Sequence, residues 1–302
     1  MELTCGLFGY GTELERDLKG SLRKLKEIGV SGIEPSFEFP EDPSDKPDIF
    51  LPSFVKATLW DEEKVNNLMP YLDEIGLKIT SMHVGLLFTN NVDKAIKSIL
   101  DFGKRSGIRH FIVSLEFDTI EKTEAAAKLL NETAELYKDS GITLGYHNHY
   151  MEFEKVVIDG EEMTLMDYFL SKTRDDVKLQ LDIGWQMYVD SDIIPFIYRY
   201  KDRIQSIHLK DFVKNFNSIP KEEAFAAIGE GALPLKEVTE ILPKLNLFEG
   251  GFMIDQDAPA KDSNIVDDLI IGIENVKRAI GELMPVLITD MRFSAHKKTE
   301  TS

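Results

Sequence analysis

Short apolar runs alternate along the chain with longer stretches in which apolar residues recur every three or four positions. The pair repeats roughly every 30–40 residues, which is the size of one βα unit. The runs predict eight strands: Leu3 to Phe8, Gly32 to Pro35, Leu77 to Val84, His110 to Leu115, Ile142 to His149, Val177 to Asp182, Ile204 to Lys210 and Gly251 to Asp255. Helical patterns fill the spaces between them. After the first strand Leu14, Leu18, Leu22, Leu25 and Ile28 keep helical spacing, and Thr12 with Glu15 reads as a capping box at the start. Lys122 to Lys138 is another helix, and Ile265, Leu269, Ile273, Val276 and Ile280 share one face of the last.

Eight strands, each followed by a helix, predict an α/β fold: a (β/α)8 TIM barrel in a single domain. A doubly wound sheet is the rival arrangement, but no Gly-rich phosphate loop follows the first strand to support it. No linker rich in Gly, Ser or Pro divides the chain. Residues 1–290 therefore read as one barrel and 291–302 as a polar tail. Residues 40–60 carry Pro40, Pro43, Pro47 and Pro52 and read as an extended loop over the top face, either a lid or a plain insertion.

Charge narrows the partners. The 35 Lys and Arg against 53 Asp and Glu give a formal −18, which argues against nucleic acid and against an anionic membrane surface. The single cysteine, Cys5, excludes a disulfide framework and any cysteine-based metal site, and reads as a small core residue. No apolar run approaches the length of a spanning helix, and the start has no basic region followed by an apolar stretch. The expectation is a soluble, cytoplasmic protein with a small-molecule partner, and a homo-oligomer stays open.

In a barrel of this kind the chemistry sits at the carboxyl ends of the strands. Those ends carry Glu34, His83, Glu116, His147 with His149, Asp182, His208 and Asp255. Buried carboxylates and imidazoles converging on one mouth repel or go unpaired unless a cation or substrate joins them. Carboxylate plus imidazole without thiolate suits one divalent ion, Mn, Co, Zn or Mg, with positions left open for a chelating substrate.

The strings Gly145-Tyr-His-Asn-His149-Tyr-Met-Glu152-Phe153, Leu181-Asp182-Ile-Gly-Trp185, Ile207-His208-Leu-Lys210-Asp211, Gly229-Glu-Gly231 and Ile254-Asp255-Gln-Asp257 follow in this order. Together they resemble the xylose isomerase-like TIM barrel family of sugar phosphate isomerases and epimerases, in the branch with the His-Asn-His-x-x-Glu-Phe string. The resemblance implies a divalent cation held by a Glu–Asp–His–Glu set on the fifth to eighth strands. Asp182 and His208 match that set. The eighth-strand position holds Asp255, whose carboxylate is drawn back by about 1.5 Å relative to Glu. On the fifth strand His147 stands where the family usually has Glu, so Glu152 is expected to supply the carboxylate, with His147 or His149 as general base. Which of the three touches the metal stays open.

The resemblance further implies His83 facing substrate. Lys210 reads either as a group that holds a substrate oxygen or steadies developing negative charge, or as a salt-bridge partner of a neighbouring Asp or Glu, and Trp185 either stacks on a sugar face or packs under a loop. Glu34 and Glu116 are candidates for binding hydroxyls, or for structural pairing to Arg or Lys. The implied function is metal-dependent isomerisation or epimerisation of a ketose, keto-sugar or polyol through a metal-stabilised enediolate. Dehydration or lyase chemistry on a keto-inositol or keto-glycoside uses the same enediolate, and a catalytically silent sugar binder is a further alternative. A DNA-repair endonuclease on the same barrel is disfavoured by the charge and by only six histidines.

Overall fold

The computed structural model describes residues 2–38, 57–85, 91–189 and 192–297, with side chains as far as 281. Eight parallel strands form the barrel: β1 (Thr4–Gly6), β2 (Gly32–Glu34 and Ser36–Phe37), β3 (Lys78–Ile79 and Met82–Val84), β4 (His110–Val113), β5 (Thr143–His147), β6 (Leu179–Asp182), β7 (Ile204–Leu209) and β8 (Phe252–Ile254). Pro35 has no N–H to donate, so it interrupts β2. The ladder resumes across the gap, because the Pro35 carbonyl still accepts from His83 N at 3.0 Å. β1 pairs with both β8 and β2, which closes the ring.

Register decides what meets at the top. Asp182 lies opposite His208 across the β6–β7 pair, and Gln180 opposite His147 across β5–β6. Side chains two apart on a strand share a face, so Gln180 and Asp182 both turn inward. Leu59–Trp60 adds a short parallel strand beside Ser36–Phe37.

The outer faces of the strands pack against the helices in one core that includes Leu22, Leu25, Phe102, Phe111, Phe169 and Val276. A second cluster, Trp185, Phe212, Phe216, Phe225 and Ala258, is built from segments following β6, β7 and β8. The first predicted helix is two: Gly11–Arg16 and Leu18–Glu27. Asp17 breaks it, adopting a non-helical backbone and accepting from Gly20 N as the cap of the second piece. Thr12 and Glu15 form no cap, since Tyr10 stands at the first N-terminus without a side-chain hydrogen bond. The last helix runs Ile265–Lys297. Most of the proline-rich segment lies outside the described residues, as do 298–302. Among the described residues no helix is long and apolar enough to cross a membrane.

Candidate active site

The carboxyl ends of the strands surround a small cavity of about 90 Å³ that opens through its mouth to solvent. His147 ends β5, Asp182 ends β6 and His208 lies near the end of β7; one ligand atom from each falls within 4.8 Å of the others. Asp182 divides its labour. Its Oδ1 accepts from Trp185 N at 2.8 Å and caps the helix Ile183–Tyr188, which leaves Oδ2 for the site. Asn148 holds the two strand ends together by pairing with both backbone groups of Asp182, at 3.0 Å each.

Lys210, just past β7, is buried among three carboxylates. Its Nζ lies 2.9 Å from Asp182, 2.9 Å from Asp255 and 2.7 Å from Asp257. Burial opposes its charge, but the three carboxylates outweigh burial and raise its proton affinity well above that of an ordinary lysine. His208 lies between Asp255 Oδ2 at 3.3 Å and Glu34 Oε1 at 3.1 Å. Burial again opposes the charge, and the two carboxylates raise its pKa to about 10, so it is an imidazolium. His147 is the opposite case. Burial and the surrounding cationic groups push it well below the usual histidine range and keep it neutral.

Among the described residues, four carboxyl groups (Glu34, Asp182, Asp255 and Asp257) thus face two cations (Lys210 and His208); burial raises the proton affinity of Asp182 and Asp257, and with all four ionised two negative charges are in surplus. Among the described residues, Asp255 Oδ1 is buried with no hydrogen-bond donor, and neither Asp182 Oδ2 nor His208 Nδ1 has a well-aligned hydrogen bond. Surplus negative charge, an orphaned carboxylate oxygen and a His/Asp/His donor set all fit a divalent cation. His208 would ligate only after losing its proton, so loading releases one.

His83 and Ser114 line the cavity wall, with the His83 Nε2 3.3 Å from the Ser114 hydroxyl. His149 also lines it, its Nδ1 3.8 Å from Glu116. Burial, with Lys210 and His83 nearby, lowers His149 to about 3 and keeps it neutral. Glu116 stands in the left-handed region at φ 48, a conformation uncommon for a non-glycine residue.

Residues 22–270 match the xylose isomerase-like TIM barrel family. The chain belongs to that family. It is similar to the inosose dehydratase of Clostridium botulinum strain Alaska E43, 27% identical over 169 residues that cover 52% of this chain and 54% of that protein. The chain spans about half the length of the inosose dehydratases it matches. A sugar phosphate isomerase/epimerase from Parabacteroides distasonis superposes with a TM-score of 0.69 at 18% identity, over 92% of this chain and 95% of that one. An IolI protein with a bound zinc atom gives 0.64 at 13%, over 93% and 99%. At such identities the two structures speak for the fold.

In this xylose isomerase-like barrel the predicted residues do not all gather. Glu34, His83, Glu116, His147, His149, Trp185, His208, Lys210 and Asp255 line the cavity, and Asp182 lies fully buried behind it. Glu152 does not reach the cluster. Its Oε1 accepts from the Tyr146 hydroxyl at 2.6 Å and its Oε2 from His149 N at 3.0 Å. Burial raises its pKa to about 8 despite those bonds. Glu152 therefore shapes the turn after β5, and His147 takes the place expected of it beside Asp182. Glu34, expected either to bind hydroxyls or to pair structurally with Arg or Lys, is largely taken up by protein, with Ser81, Gln180 and His208 rather than Arg or Lys around it. Gln180, Ser81 and Asp257 are the residues that strand-end reading misses. Gln180 and Ser81 each sit two positions before a predicted residue, on the same inward face.

Proposed function

We propose that this chain is a metal-dependent enzyme that removes a proton beside the carbonyl of a ketose, keto-sugar or oxidised polyol. The observation that carries the reading is the His147–Asp182–His208 cluster, with acidic groups around it, beside the cavity at the strand ends. His147, Asp182 and His208 would hold the ion, with Asp255 beside them. A divalent ion there supplies Lewis acidity to adjacent carbonyl and hydroxyl oxygens, which acidifies the C–H between them. His149 faces the cavity as a neutral imidazole and is the base, and the nearby Glu116 carboxylate stabilises the imidazolium it becomes. Lys210, which lines the cavity with its ammonium held by three carboxylates, would steady negative charge gathering on the substrate oxygens. Returning the proton gives isomerisation or epimerisation.

Elimination is a second reading, favoured by two observations. The curated relatives include inosose dehydratases, and Asp257 lines the cavity with its pKa raised to about 6 by burial and neighbouring carboxylates. Its protonated form, favoured by burial and the neighbouring carboxylates and opposed by the Lys210 ammonium 2.7 Å away, would give its proton to a departing hydroxyl.

The test has two parts. Elemental analysis of protein purified without chelator is expected to find near one equivalent of Mn, Co, Zn or Mg, lost in Asp182→Ala. Metal-loaded protein is then incubated with ketoses, inososes and keto-glycosides in deuterated water. Deuterium gained at unchanged composition marks isomerisation, and loss of water or alcohol marks elimination. Absence of bound metal even after divalent ions are added back refutes the reading.

A further inference from the structure

Gln180 belongs to none of the recognised strings, yet it is fully buried at the centre of the barrel floor. Its amide bridges two groups on opposite sides. One end lies 2.8 Å from His147 Nδ1 and the other 2.7 Å from Glu34 Oε2. That Glu34 oxygen already accepts from the Ser81 hydroxyl at 2.5 Å. A carboxylate only accepts, so Gln180 must aim its NH2 at Glu34 and its carbonyl at His147. Met253 Sδ, 3.6 Å from the same nitrogen, is also an acceptor and reinforces that orientation. A carbonyl likewise only accepts, so the hydrogen of neutral His147 has to sit on Nδ1. Nε2 then keeps its lone pair, and Nε2 is the nitrogen directed at Asp182 Oδ2, 3.8 Å away.

We propose that Gln180 is a positioning residue that carries the acceptor character of Glu34 across the barrel floor and locks His147 in the tautomer with a bare Nε2 facing the ligand cluster. Glu34 sits on β2 and does not touch His147, yet it sets which nitrogen of that ring is free. The benefit to metal uptake rests on the function proposed above. The tautomer itself does not.

The test uses full-length protein labelled with nitrogen-15 in histidine and stripped of metal with chelator, near neutral pH. His147→Asn assigns the His147 ring signals. Wild type is expected to show hydrogen on Nδ1 and a bare Nε2. Gln180→Met, similar in length but unable to bridge, is expected to show a mixture of tautomers or hydrogen on Nε2. Glu34→Gln is expected to do the same, because Gln180 can then turn over; it keeps side-chain volume and carries the test if Gln180→Met does not fold. Zinc titrated into Gln180→Met is expected to bind about 10- to 100-fold more weakly than to wild type. A wild-type His147 with hydrogen on Nε2, or an unchanged tautomer in both folded variants, overturns the proposal. Failure of wild type to take up zinc refutes the function above, while the tautomers of the metal-free protein still decide this one.

Discussion

Replacing Lys210 with Met keeps most of the side chain's length and removes its charge. The ammonium touches Asp182, Asp255 and Asp257 at 2.7–2.9 Å, and all four groups are buried. One such contact is worth about 6 kcal/mol at an effective dielectric constant near 20. The cost of burying the ammonium cancels much of the total, and breaking buried ion pairs typically costs about 3–5 kcal/mol. We expect that loss in Lys210→Met without added metal. At a sensitivity of about 2–4 °C per kcal/mol, the midpoint of thermal unfolding falls by roughly 6–20 °C. Lys210→Met/Asp257→Asn removes one of the stranded charges and should recover about 1–2 kcal/mol. The assay is urea unfolding followed by tryptophan fluorescence and extrapolated to water. Acid narrows the gap between wild type and Lys210→Met, because Asp257 already protonates at about 6. A loss below about 1 kcal/mol, or a double variant no more stable than the single, would refute the charge balance described for this site.

Three further changes probe other links. A Cβ on Gly6 would lie 2.4 Å from Asp255 Oδ1, so Gly6→Ala should displace that carboxylate and weaken divalent-ion binding about tenfold or more, at a stability cost of about 1–3 kcal/mol. Calorimetric titration checks it, and unchanged affinity would remove Asp255 from the site. Asp211 accepts from the backbone N–H groups of Phe212, Gly229, Gly231 and Leu233 at 2.8–3.0 Å; Asp211→Ala should cost roughly 3–5 kcal/mol and speed amide exchange at Gly229 and Gly231. Burial lowers His110 to about 4, so the unfolded chain binds its proton first. Its contribution is complete above the unfolded value near 6.5 and is lost as pH falls toward 4, by about 3 kcal/mol at most. His110→Gln should flatten that part of the stability profile, and an unchanged slope would show that His110 does not cause it.

The eight βα units were legible because each strand is a short apolar run bounded by turns, and hydrophobic period reports burial directly. The break at Asp17 was hidden because Leu14, Leu18 and Leu22 keep helical spacing on both sides of it, and only the Asp side chain's competition for Gly20 N ends the first turn. Strand ends pointed to the mouth but not to the layer beneath. Gln180 and Ser81 are uncharged, and nothing in their local sequence marks them, although alternation puts them on the inner face with Asp182 and His83. Glu152 misleads for a converse reason. It looks like the missing acid of the fifth strand, but the 3-10 turn Met151–Phe153 swings it back under Tyr146. Which of several neighbouring acids faces the cavity depends on that turn's geometry rather than on residue spacing.

The placement of Asp255 and Asp257 has a consequence for how the protein is made. Synthesis delivers Lys210 and its β6 partner Asp182 before the last strand exists. Until β8 enters between β7 and β1, both of those strands present open edges, and the lysine lacks two of its three counter-charges. One docking event seals the ring and balances the interior. A nascent or truncated chain lacking β8 therefore exposes sticky edges around an unbalanced charge, the features by which chaperones and proteases tell an unfinished barrel from a finished one.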